Sequence, residues 1–443
     1  MQTHFDAARL VADPDLKIAE AILRSCVHCG LCLPACPTYN LLGDERDSPR
    51  GRIYLIKDML ESGRPADDAV TRHLDRCLSC LSCTTVCPSG VDYMHLIDGA
   101  RARVEETHRR PILDRLFRSF LGWLLPRPAL FRLALLAAWP IAPLAKLVPG
   151  RIGTMATLAI SPAPPTSLDR AQVIPAKGGR VKRVALLTGC VQRVISPEIN
   201  QATVQLLTRH GCEVVIVKDF GCCGALPHHL GQEAAGLAHV RRNVRALIAE
   251  QRARGLDAVI ANASGCGTTL KDYGFLLRDD PSLGADAAII AGLARDVSEV
   301  LADLDLRPYV DVGGLRIAYH AACSLQHGQK ITEAPKHLLR RVGFRVEDVP
   351  DGHLCCGSAG TYNLLQPTLS AELRDRKVAN IERTKAVAVA TGNIGCNVQI
   401  GAGTALPVLH TVELLDWATG GPRPTRLGPA RDTEWPLREP IAP

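Results

Sequence analysis

The segment CVHCGLCLPACP, residues 26–37, governs the reading of this chain, because it returns at residues 77–88 as CLSCLSCTTVCP. Both copies place two, two and three residues between cysteines and close on proline. A C-x2-C-x2-C turn presents three sulfurs to one face of an iron–sulfur cube, and the fourth thiolate must arrive from elsewhere. In the bacterial two-cluster arrangement the last cysteine of each run ligates the other cluster. That crossing explains the duplication, since each copy completes its neighbour. The expected ligand sets are Cys26, Cys29, Cys32 and Cys87 for one 4Fe-4S cluster and Cys77, Cys80, Cys83 and Cys36 for the second. Zinc also takes four thiolates, but zinc knots pair separate C-x2-C knuckles and have no use for a crossed set of eight. Two adjacent clusters suit stepwise transfer of single electrons better than a purely structural role.

The bulk properties agree. A chain of 443 residues predicts two or three domains, and a hydrophobic fraction of 47% is enough to bury their cores. The net charge of +7 is mild and aromatic residues make up only 4%, which argues against a nucleic-acid surface. Residues 1–20 hold early acidic residues and no continuous apolar run, so they do not read as a secretory signal and the chain is expected in the cytoplasm. Seventeen cysteines in a reducing compartment point to metal or redox work rather than disulfides.

Residues 1–108 therefore read as a mostly helical, ferredoxin-like domain. Its connector GRIYLIKDMLESG (51–63) carries Ile53, Leu55, Ile56, Met59 and Leu60 at helix spacing. This arrangement resembles the helical ferredoxin domain of fumarate and succinate dehydrogenase iron–sulfur subunits. Residues 109–160 form an apolar, basic helical connector; residues 161–182, rich in Pro, Gly and Ser, read as a linker; the tail after about 420 is expected to be poorly ordered.

Residues 183–417 contain an internal repeat. RVALLTGC (183–190), GCCGALP (221–227) and NASGCG (262–267) are answered by RIAYHAAC (316–323), LCCGSAG (354–360) and NIGCNV (393–398). Cys190, Cys222 and Cys223 each lie 133 residues before Cys323, Cys355 and Cys356, and Cys266 lies 130 before Cys396. Short β-branched runs alternate with helical segments in each copy, predicting duplicated α/β units with parallel sheets over 183–300 and 314–418. The fold class is mixed: helical in front, parallel α/β behind. Adjacent cysteines rarely bond to each other because the ring is strained, so the C-C pairs read as metal ligands, with Gly224 and Gly357 allowing close backbone approach.

The pattern C, C-C-G, C, twice over, resembles the CCG cysteine-rich domain of heterodisulfide reductase subunits and of the iron–sulfur subunits of glycolate, lactate and anaerobic glycerol-3-phosphate dehydrogenases. Joined to the two-cluster module and the phrase SPRGRIYLIKDM (48–59), the chain is most similar to the glycolate oxidase iron–sulfur subunit family. The fullest form of the family motif ends in C-x2-C, whereas Ala263 and Asn393 stand where the additional cysteines would be. A conventional cluster, zinc or a redox dithiol therefore all stay open for Cys190, Cys222, Cys223, Cys266, Cys323, Cys355, Cys356 and Cys396.

The resemblance implies an electron-transferring subunit that works with flavin-containing dehydrogenase subunits, oxidises glycolate to glyoxylate through them, and delivers electrons to a quinone or another acceptor. No G-x-G-x-x-G, nucleophile–base pair or phosphate loop stands against that division of labour; GAGTAL (401–406) only imitates a dinucleotide loop. Alternatives are a subunit of a lactate, glycerol-3-phosphate or heterodisulfide oxidoreductase, and a redox-sensing scaffold. Cys212 reads as a buried hydrophobe. His320, three residues before Cys323, is a ligand candidate, but the first copy has Leu187 there and a structural role is the expectation. His228, His229 and Asp219 carry weaker signals. In residues 111–125, Leu113, Phe117, Phe120, Leu121 and Leu124 recur at helical spacing. The longest uncharged run, 133–145, is 13 residues with Pro140 and Pro143, too short for a bilayer that needs roughly 20 apolar residues. This segment either rests peripherally on the cytoplasmic face of the inner membrane or packs on protein.

Overall fold

The computed structural model describes residues 1–428 except 146, 148, 149, 159 and 160. The front of the chain is all helix and loop among these residues. Helix Pro49–Ser62 begins where the Ser48 side chain accepts the Gly51 N–H and Pro49 occupies the first turn, and it stops at Gly63 in the left-handed region. Helices Pro14–Ser25, Asp68–Asp75 and Tyr93–Thr107 surround it, and Leu23, Ile56, Met59, Leu74, Leu96 and Ile97 form the core between them. The two cysteine runs pack on that core, as loops except for the short helix Ser82–Thr85 that carries Cys83: Cys26, Cys77 and Cys83 belong to it.

Helices Ile112–Leu124 and Pro128–Ala138 follow, bent against each other by 119°. Among the described residues no single helix is long and apolar enough to cross a membrane. Leu121 and Leu124 face inward, whereas Leu113, Leu116, Phe120, Trp123, Leu133, Leu136 and Trp139 are exposed. Arg118 is buried and bonds Asp75 at 2.8 Å and Asp114 at 2.9 Å, pinning the first of these helices to the front module.

The rear of the chain holds two sheets. The first has the order β1 (Gln172–Ile174), β3 (Cys212–Ile216), β2 (Lys182–Leu187), β4 (Ala258–Ala261), β5 (Ala294–Asp296). The second runs β7 (Arg345–Asp348), β6 (Arg316–Tyr319), β8 (Ala388–Thr391), β9 (Val408–His410). Every pairing is parallel except β1 with β3. The linker expected at 161–182 is thus partly structured. Gln172-Val-Ile pairs with the free edge of β3, Val173 opposite Val215, because an open edge offers backbone partners to any short extended run. The expected disordered tail falls mostly on 429–443, outside the described residues; residues 421–428 are placed, with Arg426 bonded to Glu198 at 2.7 Å.

The two sheets share one hydrophobic core. Val184, Leu186 and Ile260 from the first belong to the same cluster as Ile317, Tyr319, Ala388 and Leu409 from the second. Helix Pro197–Arg209 of the first copy packs on Thr411–Ala418 of the second, and Arg209 ties them through Asp416 at 2.8 Å.

Candidate metal centres

In each sheet three neighbouring parallel strands deliver the cysteines at their carboxyl ends, where open α/β sheets place ligands. Cys190 follows β2, the Cys222–Cys223 pair follows β3 and Cys266 follows β4; Cys323 follows β6, Cys355–Cys356 follows β7 and Cys396 follows β8. Cys266 and Cys396 sit in the first turns of helices Ser264–Lys271 and Ile394–Gly401, whose amino-terminal dipoles favour thiolate. After each pair the chain turns through glycine: φ is 93° at Gly224 and 90° at Gly357. A Cβ would stand 2.8 Å from the Gly236 carbonyl oxygen at the first and 2.5 Å from that of Ser370 at the second. The turn also aims backbone N–H groups at sulfur, Gly224 to Cys222 at 3.5 Å and Gly357 to Cys355 at 3.4 Å.

All eight of these cysteines line one cavity of about 400 Å³. Its remaining wall is largely apolar and includes Leu121, Leu124, Phe131, Leu135 and Leu226. Within the first copy the thiols form a chain from Cys190 through Cys222 and Cys223 to Cys266; thiol donation from Cys190 and Cys223 holds Cys222 well below the usual thiol range. The second copy repeats the chain, with Cys323 and Cys355 sulfurs 3.8 Å apart. Buried Lys377 lies within electrostatic reach of Cys356, Cys355 and Cys396, and its ammonium donates to the Asp351 carbonyl oxygen at 2.8 Å.

In the front module Cys26, Cys29, Cys32 and Cys87 line a second, smaller cavity, to which Cys83 also contributes. Burial, followed by the neighbouring Cys26 and Cys87, pushes the Cys32 thiol up to about 11 against backbone N–H donors. Burial holds Cys80 and Cys83 well above the usual range, followed by Cys323 for the first and Cys80 for the second, with Cys36 and Cys77 adding to both. Cys36 thus sits with the second run and Cys87 with the first. All seventeen cysteines are free thiols. Seven of the eight front thiols are buried or half-buried and only Cys29 is exposed; so many thiols gathered without a cation are an unfavourable arrangement that a cationic iron–sulfide core relieves, because coordination removes the proton, and the residues fit such groups.

Several side chains that the cysteine spacing does not announce complete the site. Arg52 is 1% exposed, bonds Asp47 at 3.3 Å and points a second nitrogen at the Cys36 sulfur, 3.7 Å away. Tyr93 donates its hydroxyl to Cys77 at 3.8 Å. Arg52 and Lys377 share one signal in sequence: each interrupts an apolar helical stripe, Arg52–Ile56–Met59 and Leu373–Lys377–Ile381. His320 is buried beside Cys356 and Cys396, whereas Cys212 is fully buried in the shared core. His229 bonds Asp98 of the front module at 3.1 Å and has a docking role; Asp219 has a positive φ in the loop after β3.

The front and rear meet at these sites. Leu78 and Cys80 pack with Cys355, Tyr362 and Leu373, and Cys80 is within electrostatic reach of Cys323. Tyr362 donates to the Arg76 carbonyl oxygen at 3.1 Å.

Comparison with known proteins gives consistent matches. A family model described as a 4Fe-4S dicluster domain matches residues 22–91, and one described as a cysteine-rich domain matches 184–271 and 317–401. The chain is 41% identical to the glycolate oxidase iron-sulfur subunit of Escherichia coli, over 90% of this chain and 95% of that protein. It is 33% identical to a probable glycolate oxidase iron-sulfur subunit of Bacillus subtilis, over 91% and 96%. Lactate utilization protein A of Geobacillus kaustophilus is 28% identical over 53% of this chain and 98% of its own. The crystal structure of a hypothetical protein from Helicobacter pylori shares the fold, with a TM-score of 0.53 and 11% identity over 86% of this chain and 69% of that one.

Proposed function

The chain belongs to the glycolate oxidase iron–sulfur subunit family, and from that membership we propose how its residues carry the work of an electron-transfer subunit in a glycolate-oxidising complex. Cys26, Cys29, Cys32 and Cys87 hold one four-iron cluster, and Cys77, Cys80, Cys83 and Cys36 hold the other. The observation that carries this assignment is the exchange of last cysteines: Cys36 lies among the sulfurs of the second run and Cys87 in the cavity of the first. When bound, such clusters take up and release single electrons, matching a flavin-containing partner subunit on one side and a quinone or another acceptor on the other.

The protein's own contribution is placement and electrostatics. Arg52 sets a fixed cation beside Cys36, and Tyr93 gives a hydrogen bond to Cys77; both favour the more negative, reduced state. Leu78 and the packing around it exclude water between Cys80 and the Cys323–Cys355 pair. The apolar wall beside the eight rear cysteines, with Phe131 and Leu135, suits a quinone ring, and the exposed faces of helices Ile112–Leu124 and Pro128–Ala138 suit peripheral contact with a membrane surface.

The test is anaerobic co-purification with the flavoprotein partners, followed by iron counting and electron paramagnetic resonance after adding substrate. Reduced four-iron signals that grow with glycolate and decay when quinone is added support the assignment. Iron-free protein that sustains full turnover would refute it. Lactate in place of glycolate decides the substrate.

A further inference from the structure

We infer that the second repeat, and not the first, carries a mixed thiolate–imidazole metal site built from His320, Cys356 and Cys396. A ring nitrogen of His320 and the two sulfurs all lie within 4.8 Å of one another. The backbone holds the histidine there: it follows β6 directly, and its N–H donates to the Ala390 carbonyl oxygen at 2.9 Å. The side chain is 1% exposed, yet neither Nδ1 nor Nε2 has a hydrogen-bond partner. Buried polar groups without partners are rare because water is lost and nothing replaces it. A structural histidine packed in a core would find at least one acceptor or donor; an imidazole whose lone pair meets a metal needs none on that side.

The first repeat is an internal control. Its four thiols form the same chain, but Leu187 occupies the position of His320 and is as buried. At this position copy one therefore offers no nitrogen, whereas copy two does. Two thiolates and an imidazole, with Cys355 next in the thiol chain, suit a tetrahedral borderline cation, and Zn2+ is the ion of that class. On binding, the thiols of Cys356 and Cys396 each give up a proton and His320 binds neutral, so no oxidant or reductant is required.

The full chain, produced anaerobically with zinc and iron supplied, tests this by metal counting and zinc K-edge absorption. The wild type is expected to hold one zinc whose shell contains nitrogen at about 2.0 Å beside sulfur at about 2.3 Å. His320→Leu, which installs the residue copy one already carries, should remove the nitrogen shell and lower zinc occupancy at least about tenfold. Cys396→Ser should lower it likewise. In both variants the iron of the front module stays unchanged, which separates failure here from failure of the cluster assignment. Wild-type protein without zinc, or His320→Leu protein that keeps its zinc in an all-sulfur shell, overturns the inference, as does iron held at this position by sulfur alone.

Discussion

Arg52 concentrates what single residues do in this molecule. Its guanidinium is wholly buried, donates to the His73 carbonyl oxygen at 2.7 Å, pairs with Asp47 and faces the Cys36 sulfur. Burial opposes the cation, and Cys77, Tyr93 and Cys36, with Asp47, outweigh it and push its pKa up. Replacing one member of a buried pair strands the other charge and costs about 3–5 kcal/mol. Arg52→Met is expected to fall at the low end, because His73 and Arg76 still reach Asp47. It should also shift the midpoint potential of the second cluster downward, read in a redox titration followed by electron paramagnetic resonance. Cys36→Ser, in contrast, should remove the second cluster and leave the first, so that iron per chain drops by about half; an unchanged iron count would refute the crossed assignment. The cysteines were legible in the sequence because ligand spacing within a loop is local. Arg52 was not, since Cys36 lies 16 residues away and only the folded chain joins them; His320 was noticed only for its nearness to Cys323, whereas the sulfurs it meets, Cys356 and Cys396, lie 36 or more residues away.

At the scale of elements, two glycine turns fix the cysteine pairs. Gly357→Ala forces a side chain into the left-handed region and onto the Ser370 carbonyl, so it is expected to destabilise the protein by about 1–3 kcal/mol and to lower metal uptake by the second repeat. Thermal melts and metal counts on the same preparation check both. The bent helices make a second prediction. Leu116 and Leu133 are exposed apolar residues on the two helices, so the double variant Leu116→Glu, Leu133→Glu should weaken binding to anionic lipid vesicles at least several-fold while leaving iron content intact. Vesicle sedimentation that does not distinguish variant from wild type would point to a protein neighbour for this face. The alternation of strand and helix in each repeat was legible because periodicity reports burial directly. β1 was hidden in a Pro- and Gly-rich stretch, since three residues have no period of their own and become a strand only against β3.

Front and rear are joined by the packing of Leu78 and Cys80 on Cys355, Tyr362 and Leu373 and by charged contacts, one of them made by His95. His95 of the front module bonds Asp92 at 2.5 Å and Asp272 of the first repeat at 2.9 Å, and its ring stacks on Phe275 at 3.5 Å. Burial lowers its pKa, but the two carboxylates prevail and raise it to about 9. A folded pKa above the unfolded value of about 6.5 means stability that is complete below pH 6.5 and lost as pH rises through 9. Solvent screening reduces the contribution to about 1–2 kcal/mol. The melting temperature of wild type should therefore exceed that of His95→Gln near pH 6, with the gap closing above pH 9; a gap independent of pH would assign His95 a packing role only. The sequence made the front module and the duplication visible, but not their union. Nothing in the spacing of either repeat indicates that the two sheets share a core or that all eight rear cysteines open into one cavity.

That common core bears on separability. With Leu207 and Leu414 in one interior, neither repeat can be excised or exchanged without baring the apolar face of the other. The two halves differ in sequence, histidine at 320 where leucine stands at 187, yet they are expected to melt as one unit, so a substitution in either is felt by both.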